Sequence, residues 1–239
     1  MKIKTFPLVI SLLLIFSFIT INANANSAEP PALIVIVKNA PNDVSVFIVS
    51  ENTVEEGKLK KTAWETYYAF YYRSIGNKNQ ITLQVSGNDK TFYQIVPEDY
   101  FIGYNNIITI DFRAQTIIKG KLLSRSIFLV TLRVSFTIII EGVIFLLFGF
   151  RQKKSWIAFL ILNLITQGLL NIFLNGASPF MSYLILNLIF MELLVFIAEM
   201  ICILLFIKEH GVIRRILYVL TANFISLIVG GYMITLLPV

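Results

Sequence analysis

Hydrophobic positions follow three different patterns along the chain. Residues 6–21 form one apolar run. Between about 33 and 113 lie short β-rich runs: Leu33 to Lys38, Val44 to Ser50, Tyr67 to Arg73, Gln80 to Ser86, Thr91 to Val96 and Asn106 to Arg113. Turn residues separate them, as in Ala40-Pro41-Asn42-Asp43, Gly76-Asn77-Lys78-Asn79, Gly87-Asn88-Asp89 and Gly103-Tyr104-Asn105. Apolar and polar side chains alternate in Ile81-Thr82-Leu83-Gln84-Val85 and in Ile108-Thr109-Ile110-Asp111-Phe112, the period of a strand with one buried face. Beyond residue 125 the chain is almost continuously apolar, and four spans fit at about 127–150, 155–175, 180–207 and 216–237. Each has about 20 residues or more, enough to cross a hydrocarbon core about 30 Å thick. The patterns predict an α+β membrane protein, with a small antiparallel β-sandwich at 26–121 and a four-helix transmembrane bundle at 126–239.

Composition narrows the class. The 239 residues are 56% hydrophobic and 14% charged, whereas about a quarter of a soluble domain is charged. A purely soluble enzyme and a disordered chain are excluded, and a single cysteine excludes a disulfide scaffold. The net charge of +6 marks no nucleic-acid patch, because residues 26–125 hold eleven Lys or Arg against ten Asp or Glu. The remaining cations describe topology. Lys2 and Lys4 precede the first apolar run and Ala23-Asn24-Ala25 follows it, the order of a signal peptide over 1–25, either cleaved after Ala25 or kept as an anchor. Arg151, Lys153 and Lys154 lie in one loop, and Lys208, Arg214 and Arg215 in another. The excess of positive charge assigns loops 151–154 and 208–215 to the cytoplasm, and leaves residues 26–121 and the C-terminus outside. The expected location is the bacterial cell membrane, multi-pass. The expected partners are the lipid bilayer and either another membrane protein or a cell-envelope ligand, with no nucleic acid.

Polar groups inside the spans carry the chemistry, since each is costly in lipid. Glu141, Asn163, Gln167, Glu199, Asn223 and Ser226 form the candidate intramembrane site. Asn163, Gln167 and Asn171 recur every fourth residue, and Glu192 and Glu199 are seven apart, so each set shares one helix face. At about 1.5 Å per residue, Glu141, Asn163, Glu199 and Asn223 fall roughly 10–13 Å from the cytoplasmic ends, one from each helix. Arg133, Asn171 and Glu192 fall in a second layer roughly 22–26 Å in, where Arg133 and Glu192 are expected to pair as ions. Helix–helix glue and a proton or ion site both fit this arrangement. His210 is expected to be solvated in its charged loop, and Cys202 to be a small buried side chain. No metal-ligand spacing, HExxH, Gly-x-Ser-x-Gly or Walker loop is present, so no catalytic residue, metal site or cofactor is assigned. In the outer domain Trp64, Tyr67, Tyr68 and Tyr71 are either sandwich core or an aromatic surface for a partner, a glycan or the membrane interface.

Several blocks of the membrane half form a recognisable set. They are Glu141 with Leu146-Leu147-Phe148-Gly149-Phe150-Arg151 and Lys153-Lys154, Asn163-Leu164-Ile165-Thr166-Gln167 with Leu170-Asn171, Glu192-Leu193-Leu194-Val195-Phe196-Ile197-Ala198-Glu199, and Ala222-Asn223-Phe224-Ile225-Ser226 with Gly230 and Pro238. Over about residues 133–238 the chain resembles a family of uncharacterised four-span integral membrane proteins of Gram-positive bacteria with an exported N-terminal domain. The resemblance implies that the inner-layer residues belong to a shared pattern, and it implies no activity. Three classes of function follow from the residues. The first is a non-enzymatic membrane protein that binds, senses or serves as an accessory through its β domain. The second is a small transporter or ion/proton pathway, and the third an intramembrane enzyme.

Overall fold

The computed structural model describes residues 32–50, 53–71, 81–101, 103–177 and 184–238. The expected signal peptide, the Gly76–Asn79 turn and the start of the third span lie outside these residues. Nine strands build two facing sheets: β1 (Ala32–Lys38), β2 (Ser45–Ser50), β3 (Thr53–Glu56), β4 (Lys58–Lys61), β5 (Thr66–Tyr71), β6 (Ile81–Gly87), β7 (Lys90–Val96), β8 (Asn105–Asp111) and β9 (Thr116–Lys119). One sheet has the order β4-β5-β1-β8-β9 and the other β3-β2-β6-β7. Pairing is antiparallel throughout except between β1 and β8, which run parallel from Ala32 opposite Asn105 to Lys38 opposite Asp111.

The six expected strands are all present, and three more appear: β3, β4 and β9. Each of these is an edge strand. Lys58-Leu59-Lys60-Lys61 is exposed along its whole length, and charge on an edge discourages pairing with another chain. Such strands carry no apolar alternation, so the pattern does not announce them. β1 differs in the opposite way. Its run Leu33-Ile34-Val35-Ile36-Val37 is buried on both faces, as suits a central strand with a parallel neighbour. Its odd-numbered residues join Leu83, Val85, Ile108 and Ile110 between the sheets. Ala32 and Ile34 join Ala69 on the other face. Gly57 lies where the chain passes from β3 in one sheet to β4 in the other. A Cβ there would come within 2.7 Å of the Phe70 ring.

Four helices follow: α1 (Leu123–Leu147), α2 (Lys153–Gly176), α3 (Leu184–Phe206) and α4 (Val212–Leu236). All four are long and apolar enough to cross a membrane, which marks the chain as a multi-pass membrane protein. Each helix packs on its neighbours in sequence, and α4 closes back on α1. Outward side chains such as Leu164, Leu169, Ile172, Leu193 and Ile228 are apolar and exposed, suited to contact with acyl chains. α1 begins earlier than expected, taking in Arg125. α4 begins at Val212, so Arg215 is a buried helical residue rather than a loop cation.

The end of the bundle far from the β domain is locked by rings and caps. Phe145 stacks on Phe150 at 4.1 Å and on Phe159 at 4.9 Å, and meets Trp156 and Tyr218 edge-on. Gly149, at φ +83°, takes the left-handed turn that ends α1. Glu209 accepts from the backbone N–H groups of Arg151 (2.5 Å) and Gln152 (3.0 Å), capping the start of α2 from the α3–α4 loop. Against the desolvation of its carboxyl, these N–H donors hold Glu209 below the usual carboxylate range. Arg215 donates to the Leu204 and Ile207 carbonyls, closing the end of α3. His210 is not a solvated loop residue: its ring lies edge-on to Phe150 at 4.8 Å, and Nε2 is 3.1 Å from the Gly149 carbonyl.

Candidate functional site

All six residues of the expected intramembrane site point inward and are buried. So are Arg133, Asn171 and Glu192. The fourfold spacing of Asn163, Gln167 and Asn171 does set one face of α2 toward the bundle axis. Glu199 on α3 is the most completely bonded of the set. Thr166 Oγ1 of α2 donates to its Oε1 at 2.9 Å, and Asn223 Nδ2 of α4 donates to its Oε2 at 2.8 Å. Three helices therefore meet at one carboxyl. Thr166 was not anticipated, although it lies three residues after Asn163 and its hydroxyl shares that face.

Other groups of the layer are close but unbonded. Glu141 of α1 is 0% exposed, and neither of its oxygens takes part in a well-formed hydrogen bond among the described residues, the Ser226 hydroxyl being the donor beside it. Its charged neighbours are Glu199 and then Glu192, with Ser226 as a polar neighbour. Asn163 does not reach Glu199 and instead donates back to the Phe159 carbonyl at 3.1 Å. Asn163 Oδ1, both amide atoms of Gln167, Asn223 Oδ1 and Ser226 Oγ have no partner among the described residues. Among those residues, no group of three His, Cys, Asp or Glu is placed to hold a metal ion.

The expected Arg133–Glu192 ion pair does not form. Arg133 turns toward the β-domain end of the bundle and donates to the Pro238 carbonyl. Glu192 stands beside Gln167, with Oε2 unpartnered among the described residues. The physical reason is local: Arg133 is near Arg125, Tyr67 and Glu65 of the junction, and its long side chain extends to a backbone acceptor at that end, although Nε and Nη1 stay buried without a partner among the described residues.

A second cluster, absent from the sequence reading, joins the two domains. Only Gly120, Lys121 and Leu122 separate β9 from α1. Arg125 grips Glu65 with two bonds, Nε to Oε1 at 2.6 Å and Nη2 to Oε2 at 2.8 Å. Tyr67 completes the knot, donating to Glu65 Oε2 at 2.5 Å and accepting from Arg125 Nη2 at 3.1 Å. Burial, followed by the adjacent Glu65 charge, pushes the Tyr67 phenol upward, while Arg125 opposes them. The same segment touches the last helix, because the Ala63 N–H donates to the Leu236 carbonyl at 3.0 Å. Trp64 meets Phe128 of α1 edge-on at 6.0 Å. Lys121 donates to the Asn175 and Ala177 carbonyls at 2.6 and 2.7 Å, tying in the end of α2. Burial, then the nearby Arg125 and Arg133 charges, push the Lys121 ammonium down to about 7 against the pull of Glu65.

The expected aromatic surface is therefore only partly one: Trp64 is 50% exposed, while Tyr67 and Tyr68 turn inward. Tyr67 and Tyr68 are 0% and 1% exposed. Tyr68 donates to the Val44 carbonyl within the sandwich, Tyr71 is half-buried against the second cluster of β1, and Trp64 belongs to the junction. Aromatic strand positions were attractive as a platform, but a sheet buried on both faces absorbs them. Among several exposed apolar side chains of the β domain, which include Val54 and Tyr104, Tyr93 (59%) and Ile95 (69%) form a pair on the outward face of β7. Two apolar residues on the face opposite Phe92 and Val96 were the available signal. In comparisons with family models, curated proteins and solved structures, the chain matches none.

Proposed function

We propose that this chain is a non-enzymatic membrane protein of the sensing or accessory kind, which receives a partner on its β domain and passes the event to its bundle. One observation carries the reading. The segment Thr62–Tyr67 is bonded to the first helix through Glu65 and Arg125 and to the last through Ala63 and Leu236, and a three-residue linker leaves no slack. A domain serving only as a freely tethered capture head has no need of a buried two-bond ion pair to its anchor. Tyr93 and Ile95 are the proposed receiving face, since exposed apolar side chains on a strand face mark contact sites. The same proposal puts the chain among the Gram-positive four-span proteins its spans resemble. It sets residues 26–121 and the C-terminus outside the bacterial cell membrane, with loops 151–154 and 208–215 in the cytoplasm. The partner is then a cell-envelope ligand or the exported part of another membrane protein.

The test is photo-crosslinking in intact cells from a reactive residue at position 93 or 95 of the full-length chain. The expected result is one discrete adduct, with a paired Tyr93→Ser and Ile95→Ser variant losing its protection of the β7 face in hydrogen exchange. Diffuse labelling, indistinguishable from a control site on the lysine-rich β4, sinks the reading.

A further inference from the structure

We propose that the buried layer around Glu141 and Glu199 is an exchangeable site for a small monovalent cation, a proton or Na+. The argument begins with charge. Four helices enclose the layer, and their contributions can be set out in turn. α1 gives Glu141, and α3 gives Glu199 and Glu192. α4 gives Asn223 and Ser226, with the Tyr218 hydroxyl near both Glu141 and Glu199. α2 gives Asn163, Thr166 and Gln167, none of them titratable. Among the described residues, no lysine or arginine forms an ion pair with either carboxyl. Arg133 lies eight residues from Glu141, about 12 Å along the helix, and is turned to Pro238. Arg215 is committed to the Leu204 and Ile207 carbonyls. Two neighbouring carboxylates in a low-dielectric interior cannot both be left ionised without a positive charge between them.

The second argument is donor arithmetic. Each oxygen of Glu199 has a partner, Thr166 Oγ1 and Asn223 Nδ2, although the Thr166 hydroxyl is shared with the Leu162 carbonyl. Glu141 has no well-formed hydrogen bond, and the Ser226 hydroxyl beside it is its nearest donor. On the facing helices the unused atoms are mostly oxygens: Asn163 Oδ1, Gln167 Oε1, Asn223 Oδ1 and Ser226 Oγ, all on side chains more than nine-tenths buried, with Ser226 beside Glu141 and Asn223 bonded to Glu199. A proton on Glu141 supplies the missing donor. A hard monovalent ion instead uses the oxygens as ligands, which is the chemistry such ions select. A divalent ion is not proposed, because the described residues offer no three-residue acidic or histidine set for one.

A cavity of about 480 Å³ gives an apolar reagent a way in. It opens between α2 and α3, from Lys154 past Ile161 and Ile203 to Ile165 and Cys202. Its lining includes Leu162, whose carbonyl lies 3.0 Å from the same Thr166 hydroxyl that meets Glu199. A lipophilic carbodiimide can follow this groove, and it reacts with a carboxyl only when that group carries its proton. The experiment is carbodiimide labelling of the full-length protein in lipid nanodiscs, with adducts mapped by mass spectrometry while pH and Na+ are varied against choline at constant ionic strength. The expected result is an adduct on Glu141 or Glu199 in the folded protein. Loss of that adduct as pH rises, unaffected by Na+, identifies a proton site. Loss on adding Na+ at fixed pH identifies a Na+ site. Glu141→Gln should move or abolish the adduct, and the wild-type titration stands alone if that variant does not fold. If no adduct forms on either residue in the folded protein at any pH, while both react after unfolding in detergent, the layer is sealed and the proposal is overturned.

Discussion

Between its two sheets the β domain buries Leu33, Val35, Leu83, Val85, Ile108 and Ile110, with Tyr68 contributing the one hydroxyl, bonded to Val44. Between its four helices the bundle buries Glu141, Asn163, Gln167, Glu192, Glu199, Asn223 and Ser226. The difference follows from solvent. A sandwich surrounded by water is stabilised by removing apolar area from it, and an unsatisfied polar atom inside costs kilocalories. Lipid is as apolar as leucine, so burying leucine against leucine brings a bundle little. Polar side chains have nowhere to go but inward. One chain thus obeys opposite patterning rules on either side of a three-residue linker.

The comparison breaks first, and most visibly, in the sandwich. Leu83→Asn places an amide with no partner among buried aliphatic side chains, and costs the β domain about 4 kcal/mol. Limited proteolysis should show residues 32–119 digested while the four helices stay protected. The junction comes next. Removing one member of a buried ion pair strands the other, so Arg125→Ala and Glu65→Ala should each cost about 3–5 kcal/mol, with the double variant costing less than their sum. Thermal unfolding of the four proteins in detergent gives that cycle.

A pH titration separates domain from junction. Although partial desolvation works the other way, Asn39, two backbone N–H groups and Lys38 pull Asp111 down to about 2, from an ordinary 3.8. The unfolded chain therefore binds this proton more readily, and Asp111 contributes stability that is present above pH 3.8 and lost as pH falls through 2. Lys121 is lowered from 10.5 to about 7. Between those values the unfolded chain again holds the extra proton, so the junction strengthens as pH rises from 7 toward 10.5. The neutral amine keeps two N–H donors for the Asn175 and Ala177 carbonyls. Hydrogen exchange at the start of α1 should slow with alkali once corrected for the intrinsic rate, and Lys121→Met should flatten that dependence. The smallest effect belongs to the bundle interior. Asn171→Leu forfeits one bond to the Gln167 carbonyl (2.9 Å) within its own helix, and should cost about 0.6 kcal/mol. A cost as large as that of Leu83→Asn would erase the distinction between the two cores.

These contrasts also explain what could be read from the residues. Central strands and helical spans were legible, because β1 and all four helices carry long apolar runs and β6 a clean apolar–polar alternation. The strands β3, β4 and β9 were not, because edges are written in lysine, glutamate and threonine. The inward direction of Asn163, Gln167 and Glu199 followed from fourfold and sevenfold spacing, and that of Glu141 from the cost of a carboxyl in lipid. Their bonding did not. Spacing gives depth along a helix but not rotation between helices, so Asn163 was set beside Glu199 when Thr166 holds it. The Arg133–Glu192 pair failed for a related reason, since depth arithmetic cannot show that the arginine side chain extends to the Pro238 carbonyl at the end of the last helix. The Glu65–Arg125–Tyr67 knot brings together residues about 60 positions apart, and no local pattern contains it.

The bond from Arg133 to the Pro238 carbonyl has a bearing on the order of events during synthesis. Its two ends are 105 residues apart. At roughly 5–20 residues per second, the first helix waits some 5–20 seconds for its acceptor to emerge. Throughout that interval a guanidinium stands in a half-built bundle without the carbonyl that receives it. The last helix is therefore the latch of the assembly: its arrival gives Arg133 its acceptor and Ala63 the Leu236 carbonyl in one step, and fastens the β domain to the bundle.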